Sequence, residues 1–229
     1  MLNHAYRRVT VMLAVASLFM LLYSCRHKPG SDQQLTTRAN VLEVLMAGNY
    51  RFAHAKPVHP DESRQRMSEI AKEQHPFAVV ISCSDSRVPP ELIFDQGLGD
   101  LFVIRTAGNL MGGLEIGSVE YAVEHLGVGL IIVLGHQQCG AIKAFVDGGE
   151  APGHIKDIID SIKSEQEIRE IPANDKNRMD HCVEANLRHA THQLLNQSAI
   201  IKEKVEKNEL RIAAGIYDLQ KGEVSMLKK

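Results

Sequence analysis

The sequence predicts an α/β fold in which a mainly parallel β-sheet is flanked by helices. Three β-branched runs, at residues 77–82, 101–104 and 130–134, are bounded by polar residues or glycine, as buried strands usually are. Between the second and third runs, residues 116–126 carry apolar side chains at helical spacing. Strand, helix and strand therefore alternate as in a βαβ unit, and this order favours parallel strands.

Further segments have the apolar periodicity of helices that pack one face on a core. They lie in residues 41–48, 67–71, 155–162 and 183–194. The first is expected to end near Gly48 and the second before Pro76, since both residue types interrupt helices. The remaining pattern predicts a last strand at residues 210–217, then a turn and a short strand through Val224 and Met226.

Composition and charge narrow the class of protein. The chain has 229 residues, of which 44% are hydrophobic and 24% charged, as in globular proteins of one or at most two units. The formal net charge is −2, and no block of lysine and arginine stands out. Nucleic acid is therefore not expected among the partners.

The N-terminal segment has the pattern of an export signal. Arg7 and Arg8 precede an apolar stretch, and no acidic residue occurs before Asp32. We interpret residues 1–24 as a signal peptide. The apolar stretch is shorter than the roughly 20 residues that span a bilayer, although a short N-terminal anchor stays open as an alternative.

The end of this segment, Leu22-Tyr23-Ser24-Cys25, resembles the lipobox of bacterial lipoproteins, in which the cysteine takes a lipid and becomes the mature N-terminus. Residues 25–36 then form a lipidated cysteine with a polar tether, and residues 37–229 form the folded domain. The expected location is the periplasm or cell envelope, with the protein held at the membrane through Cys25. A cleaved signal without lipid is the other open possibility.

Metal-binding side chains follow two of the predicted strands. Cys83 ends the first strand, and His136 follows the third and precedes Cys139 by one turn, in the segment GHQQCGA. Ligands bind at the carboxyl ends of strands in open parallel sheets, so these residues are expected to face one another. Two thiolates and one imidazole match a catalytic Zn²⁺ site with an open fourth position. The remaining cysteine, Cys182, is expected to be a buried free thiol.

Asp85 and Arg87 follow Cys83 at alternate positions and carry the expected catalytic chemistry. Asp85 could fill the fourth metal position, or Arg87 could hold it away in a bidentate ion pair. Two thiolates already neutralise Zn²⁺, so the ion pair keeps all charges compensated. Near the metal, Asp85 could accept a hydrogen bond from the attacking water.

The motifs closely resemble those of beta-class carbonic anhydrases. The signature C-x-D-x-R of that family stands here as residues 83–87, and H-x-x-C-G stands as residues 136–140. The likeness extends through GNYRF, DLFVIRTAGN, GSVEYAVEHLGV and AAGIYDLQKGEV, which cover essentially all of the chain after the tether.

This resemblance implies a four-stranded parallel sheet extended by one antiparallel edge strand, in a beta-carbonic anhydrase domain at residues 37–229. It implies zinc bound by Cys83, His136 and Cys139, with Asp85 and Arg87 beside the metal, and CO2 and bicarbonate as substrates. In some family members the aspartate at the position of Asp85 itself binds zinc. The family also forms homodimers that can pair into homotetramers, with the active site near the subunit interface.

Three other functions stay open at this point. Relatives of this fold hydrolyse CO2-like molecules such as carbon disulfide with the same ligands. Cys83 or Cys139 could act as a nucleophile paired with His136. An exported lipoprotein could also sequester metal without turnover, although that role does not need the Asp85–Arg87 pair.

Overall fold

A computed structural model describes residues 40–228 of the chain. In this part of the chain the strands are β1 (Ala78–Cys83), β2 (Leu101–Thr106), β3 (Leu130–His136), β4 (Arg211–Tyr217) and β5 (Val224–Met226). The helices are α1 (Val41–Ala53), α2 (Arg64–Ile70), α3 (Pro90–Ile93), α4 (Gly113–Glu124), α5 (Gly140–Asp147), α6 (Ile155–Ser164), α7 (Gln166–Arg169), α8 (Arg178–Gln197) and α9 (Ala199–Glu206). A 3-10 turn, Ala107–Asn109, follows β2.

The five strands form one sheet in the order β2-β1-β3-β4-β5. The first four are parallel, and β5 pairs antiparallel with β4 at the far edge. Strands β1 and β3 lie in the middle and are buried along their whole length, whereas β2 is a half-buried edge. The predicted fold class, four parallel strands with an antiparallel edge strand between helices, is confirmed.

Side chains of the central strands point alternately into two cores, one on each face of the sheet. Val80 of β1 and Ile132 of β3 lie in one core, whereas Val79 and Ile131 lie in the other. Helices cover both faces, as the uninterrupted β-branched strands require. The sheet is therefore a rigid layer whose carboxyl edge can hold side chains in fixed positions.

Helix α1 runs through Gly48 to Ala53 instead of ending at the glycine. A Cβ at Gly48 would lie 1.8 Å from the carbonyl oxygen of Phe94, so glycine here permits close packing against the segment after α3 and does not end the helix. The helix predicted at residues 116–126 is α4, which ends at Glu124 and leaves Leu126 outside the helix.

The predicted signal peptide, Cys25 and the whole tether lie outside the described residues, as do residues 37–39 at the start of the predicted domain. Among residues 40–228, no helix has both the length and the hydropathy that crossing a membrane requires.

Candidate metal centre

Two neighbouring strands bring Cys83 and His136 together. Cys83 is the last residue of β1 and His136 the last residue of β3. The strands are parallel and adjacent, with Ser82 opposite Leu134, so their carboxyl ends lie at the same edge of the sheet. The sequence-based expectation that these two side chains face one another therefore agrees with the geometry.

A tight turn brings Cys139 back to the same edge. Gln138 adopts a left-handed φ of 52°, and the Gln137 N–H donates to the carbonyl of Tyr217 on β4 at 3.1 Å. Helix α5 begins at Gly140, so Cys139 occupies the position just before its first turn. The β3–α5 connection thus directs one imidazole and one thiol toward a common point.

Three ligand atoms, one each from Cys83, His136 and Cys139, lie within 4.8 Å of one another, and all three residues are buried. The two sulfurs are 4.0 Å apart. Within residues 40–228 this is the one group of three or more such side chains close enough to share a metal ion. Asp85 is not part of it.

The tautomer of His136 suits a metal ligand. Its Nδ1 lies 2.8 Å from the carbonyl oxygen of Gln137, an acceptor only, so Nδ1 carries the proton and donates. Its Nε2 is buried and has no hydrogen-bond partner. An imidazole fixed by a backbone carbonyl with its other nitrogen free is the usual arrangement of a zinc-binding histidine. The donor set therefore fits Zn²⁺.

The sulfurs of Cys83 and Cys139 are close enough for one thiol to donate its proton to the other. A hydrogen bond from Cys139 lowers the pKa of the Cys83 thiol to about 4, although burial acts in the opposite direction. The same bond, together with burial, raises the pKa of Cys139. A divalent cation would stabilise both thiolates and displace the thiol proton.

Asp85 and Arg87 form a bidentate ion pair beside the three ligands. Arg87 Nε donates to Oδ1 at 2.9 Å and Nη2 to Oδ2 at 2.7 Å, and the Arg87 backbone N–H also reaches Oδ1 at 2.9 Å. These bonds hold the pKa of Asp85 well below its usual range. Asp85 Oδ2 is 3.9 Å from His136 Nε2. Asp85 as a fourth metal ligand stays a prediction.

Two further contacts to the motif were not anticipated from the sequence. Arg105 on β2 donates to the carbonyls of Cys83 and Asp85, at 2.9 and 2.6 Å. The Gly108 N–H, in the 3-10 turn, lies 3.4 Å from Cys83 Sγ. The segment RTAGN contains both residues, but an arginine at a strand end and a Gly-Asn pair are each common without any ligand nearby.

Comparison with known proteins agrees with this geometry. The family model described as carbonic anhydrase matches residues 78–224. Carbonic anhydrase 2 of Mycobacterium tuberculosis is 36% identical over 184 residues, which cover 79% of this chain and 88% of that protein. The solved beta-carbonic anhydrase CcaA superposes with a TM-score of 0.65 at 27% identity, over 82% of this chain and 95% of CcaA.

The chain belongs to the beta-class carbonic anhydrases. Structures of two tetrameric beta-carbonic anhydrases from Sordaria macrospora share the fold, with a TM-score of 0.61 at 24% identity over 83% of this chain and 98% of theirs. Beta-class carbonic anhydrases use zinc, and the Cys83–His136–Cys139 cluster is able to hold it. The family predicted from the sequence motifs is confirmed.

Proposed function

We propose that this protein catalyses the reversible hydration of CO2 to bicarbonate and a proton, with Zn²⁺ bound by Cys83, His136 and Cys139. The observation that carries the proposal is the convergence of these three buried ligand atoms within 4.8 Å at the carboxyl edge of the sheet. Three protein ligands leave one position for water or substrate, the pattern of a catalytic site and not of a closed structural one.

Zinc bound there would supply a Lewis acid that lowers the pKa of the attacking water. The chain's own contribution is charge and orientation. Arg87 keeps Asp85 ionised, so its carboxylate can only accept hydrogen bonds. We infer that Asp85 accepts a hydrogen bond from the attacking water and so directs a lone pair of the water oxygen toward CO2.

The alternative resting state, in which Asp85 itself binds the metal, stays within this proposal. The carboxylate lies close to the cluster, but binding the metal would compete with its three hydrogen bonds from Arg87. Adding a carboxylate to two thiolates would also make the site net negative, which the ion pair avoids. We therefore propose the Arg87-bound state as the active one.

Stopped-flow CO2 hydration on the purified zinc-loaded protein tests the function. A chelator should abolish turnover and zinc should restore it, an outcome that a cysteine nucleophile would not give. Assaying carbon disulfide on the same preparation separates the two substrates. Zinc-loaded protein without CO2 hydration at neutral and alkaline pH would contradict the proposal and favour metal sequestration.

We also propose that the protein is exported and held at the membrane by lipid on Cys25. Support comes from the signal-like pattern of residues 1–24 and from the lipobox-like segment before Cys25. Cell fractionation of the wild type and of Cys25→Ser tests this. The substitution should release the protein from the membrane fraction, and unchanged membrane retention would favour an uncleaved anchor.

Homo-oligomerisation is proposed for the same protein. Within residues 40–228, strand β2 is half-buried and pairs only with β1, and Leu114 of α4, which lines the same surface depression as β2, is 85% exposed. An exposed edge and apolar surface together favour pairing with another chain. Light scattering should give a dimer or tetramer, and Leu114→Glu should lower the mass. A monomeric wild type would contradict this.

A further inference from the structure

Three buried polar side chains form a hydrogen-bonded relay that the metal motifs do not include: Glu165, Asn186 and Asn109. Asn186 Nδ2 donates to Glu165 Oε1 at 2.9 Å, and Asn109 Nδ2 donates to Asn186 Oδ1 at 2.6 Å. The exposed fractions are 1% for Glu165, 3% for Asn186 and 2% for Asn109. Asn186 is thus bonded at both ends of its amide, which fixes the amide's orientation.

The relay connects distant parts of the chain. Glu165 lies between α6 and α7, Asn186 lies in the middle of α8, and Asn109 ends the 3-10 turn after β2. Oε2 of Glu165 is buried without a hydrogen-bond partner. Asn186 is therefore the hydrogen-bond partner of the Glu165 carboxyl group, and the relay runs from Glu165 through Asn186 to Asn109 in the 3-10 turn.

The 3-10 turn also contacts the parts of the chain that carry the metal ligands. It packs against β1, β3 and α5. The Gly108 N–H points at Cys83 Sγ, and a Cβ on Gly108 would lie 3.0 Å from the Cβ of Ala141, near the start of α5. A shift of this turn would therefore change the surroundings of Cys83 Sγ and of the start of α5, which directly follows Cys139.

The backbone of this turn is in a conformation that needs support. Gly108 and Asn109 are both left-handed, with φ of 68° and 48°. A left-handed conformation is uncommon for residues other than glycine, and it persists where the surroundings fix it. The amide of Asn109 provides such fixation, because it is anchored to Asn186 inside the core.

We propose that this relay positions the 3-10 turn so that the Gly108 N–H is held against Cys83 Sγ, and that it thereby raises the zinc affinity of the site. Glu165, Asn186 and Asn109 are positioning residues, since none of them is among the three ligands. Hydrogen-bonded groups around metal ligands typically contribute 10- to 100-fold to affinity. The inference rests on the proposed zinc site but not on CO2 turnover.

Zinc competition with a colorimetric chelator measures the effect in two variants. Asn186→Leu removes both bonds of the central amide at similar volume, and Asn109→Gly removes the last side chain while glycine still accepts the positive φ. Each should weaken zinc binding by roughly tenfold or more.

Asn49→Leu is the matched control, because Asn49 is a buried asparagine that bonds to Ile93, Gly222 and Val224 and not to the cluster. It should lower thermal stability and leave zinc affinity within about twofold, well below the loss expected of the relay variants. Glu165→Leu should share the relay's loss, and Glu165→Gln, which still accepts from Asn186, should recover most of it. The proposal is overturned if folded Asn109→Gly or Asn186→Leu keeps wild-type affinity, or if Asn49→Leu weakens it equally.

Discussion

Two regions of the domain bury polar side chains and satisfy them differently. Asn49 donates to the carbonyls of Ile93 and Gly222, at 3.1 and 2.8 Å, and accepts from the Val224 N–H at 2.8 Å. His136 in the metal cluster instead keeps Nε2 buried without a partner. Leaving a buried polar atom unpaired costs free energy, and this imidazole nitrogen lies beside two buried thiols, so it suits a metal ligand. The first region stabilises the fold, and the second is organised for binding.

The largest expected effect comes from removing a metal ligand. Cys139→Ser should lose its zinc and reduce CO2 hydration to the uncatalysed rate, since two remaining ligands do not fix the ion. Cys182→Ser is a matched control, because Cys182 is equally buried but lies in α8 outside the cluster. It should keep its zinc. Metal content by atomic spectroscopy decides, and equal zinc loss in both variants would contradict the assignment of Cys139.

Removing the charge of Asp85 should affect rate and leave the metal bound. Asp85→Asn keeps the shape of the side chain but loses the carboxylate that Arg87 holds ionised, so kcat should fall by roughly 10²- to 10⁴-fold. Zinc content should not change. Asp180→Asn, an exposed aspartate on α8, should have wild-type kcat. Loss of zinc from Asp85→Asn would instead indicate that Asp85 is a metal ligand.

Near Asn49, a substitution at Asp95 should lower stability and leave zinc binding unchanged. Asp95 is buried and accepts hydrogen bonds from the Arg51 side chain and from the backbone N–H groups of Val58 and His59. Asp95→Ala leaves these donors unpaired and should lower the free energy of unfolding by about 2–4 kcal/mol, with zinc affinity unchanged.

Urea denaturation checks this change in stability. Asp160→Ala removes an exposed ion pair with Lys156, which solvent screens, so the unfolding free energy should change much less than in Asp95→Ala. If Asp95→Ala weakened zinc binding and left the unfolding free energy unchanged, the distinction between the two regions would be wrong.

The ligands could be predicted from the sequence and the relay could not, for a physical reason. Cys83 and His136 directly follow apolar runs, and strand ends of a parallel sheet share one edge, so local pattern is enough to bring them together. Glu165, Asn186 and Asn109 follow no common pattern. Glu165 is ordinary at a helix end, Asn186 in a helix and Asn109 in a turn, so none of them stands out in the sequence. Their contact depends on how α8 packs beside the turn after β2.

A pH-dependent change in stability is expected from Glu165. Burial raises the pKa of this carboxyl group to about 8 from an ordinary value of 4.5, with the charge of Glu167 acting in the same direction and the Asn186 hydrogen bond acting against it. Between pH 4.5 and 8 the unfolded chain loses the Glu165 proton and the native state keeps it. Folding therefore binds a proton, and stability falls as pH rises through this window, by at most about 1.4 kcal/mol per pH unit. The glutamine of Glu165→Gln does not titrate. The unfolding free energy of this variant minus that of the wild type should therefore increase between pH 4.5 and 8 and stay constant above pH 8. Urea titrations of both proteins at several pH values measure this difference, and parallel profiles from pH 5 to 8 would show that Glu165 is ionised in the native state.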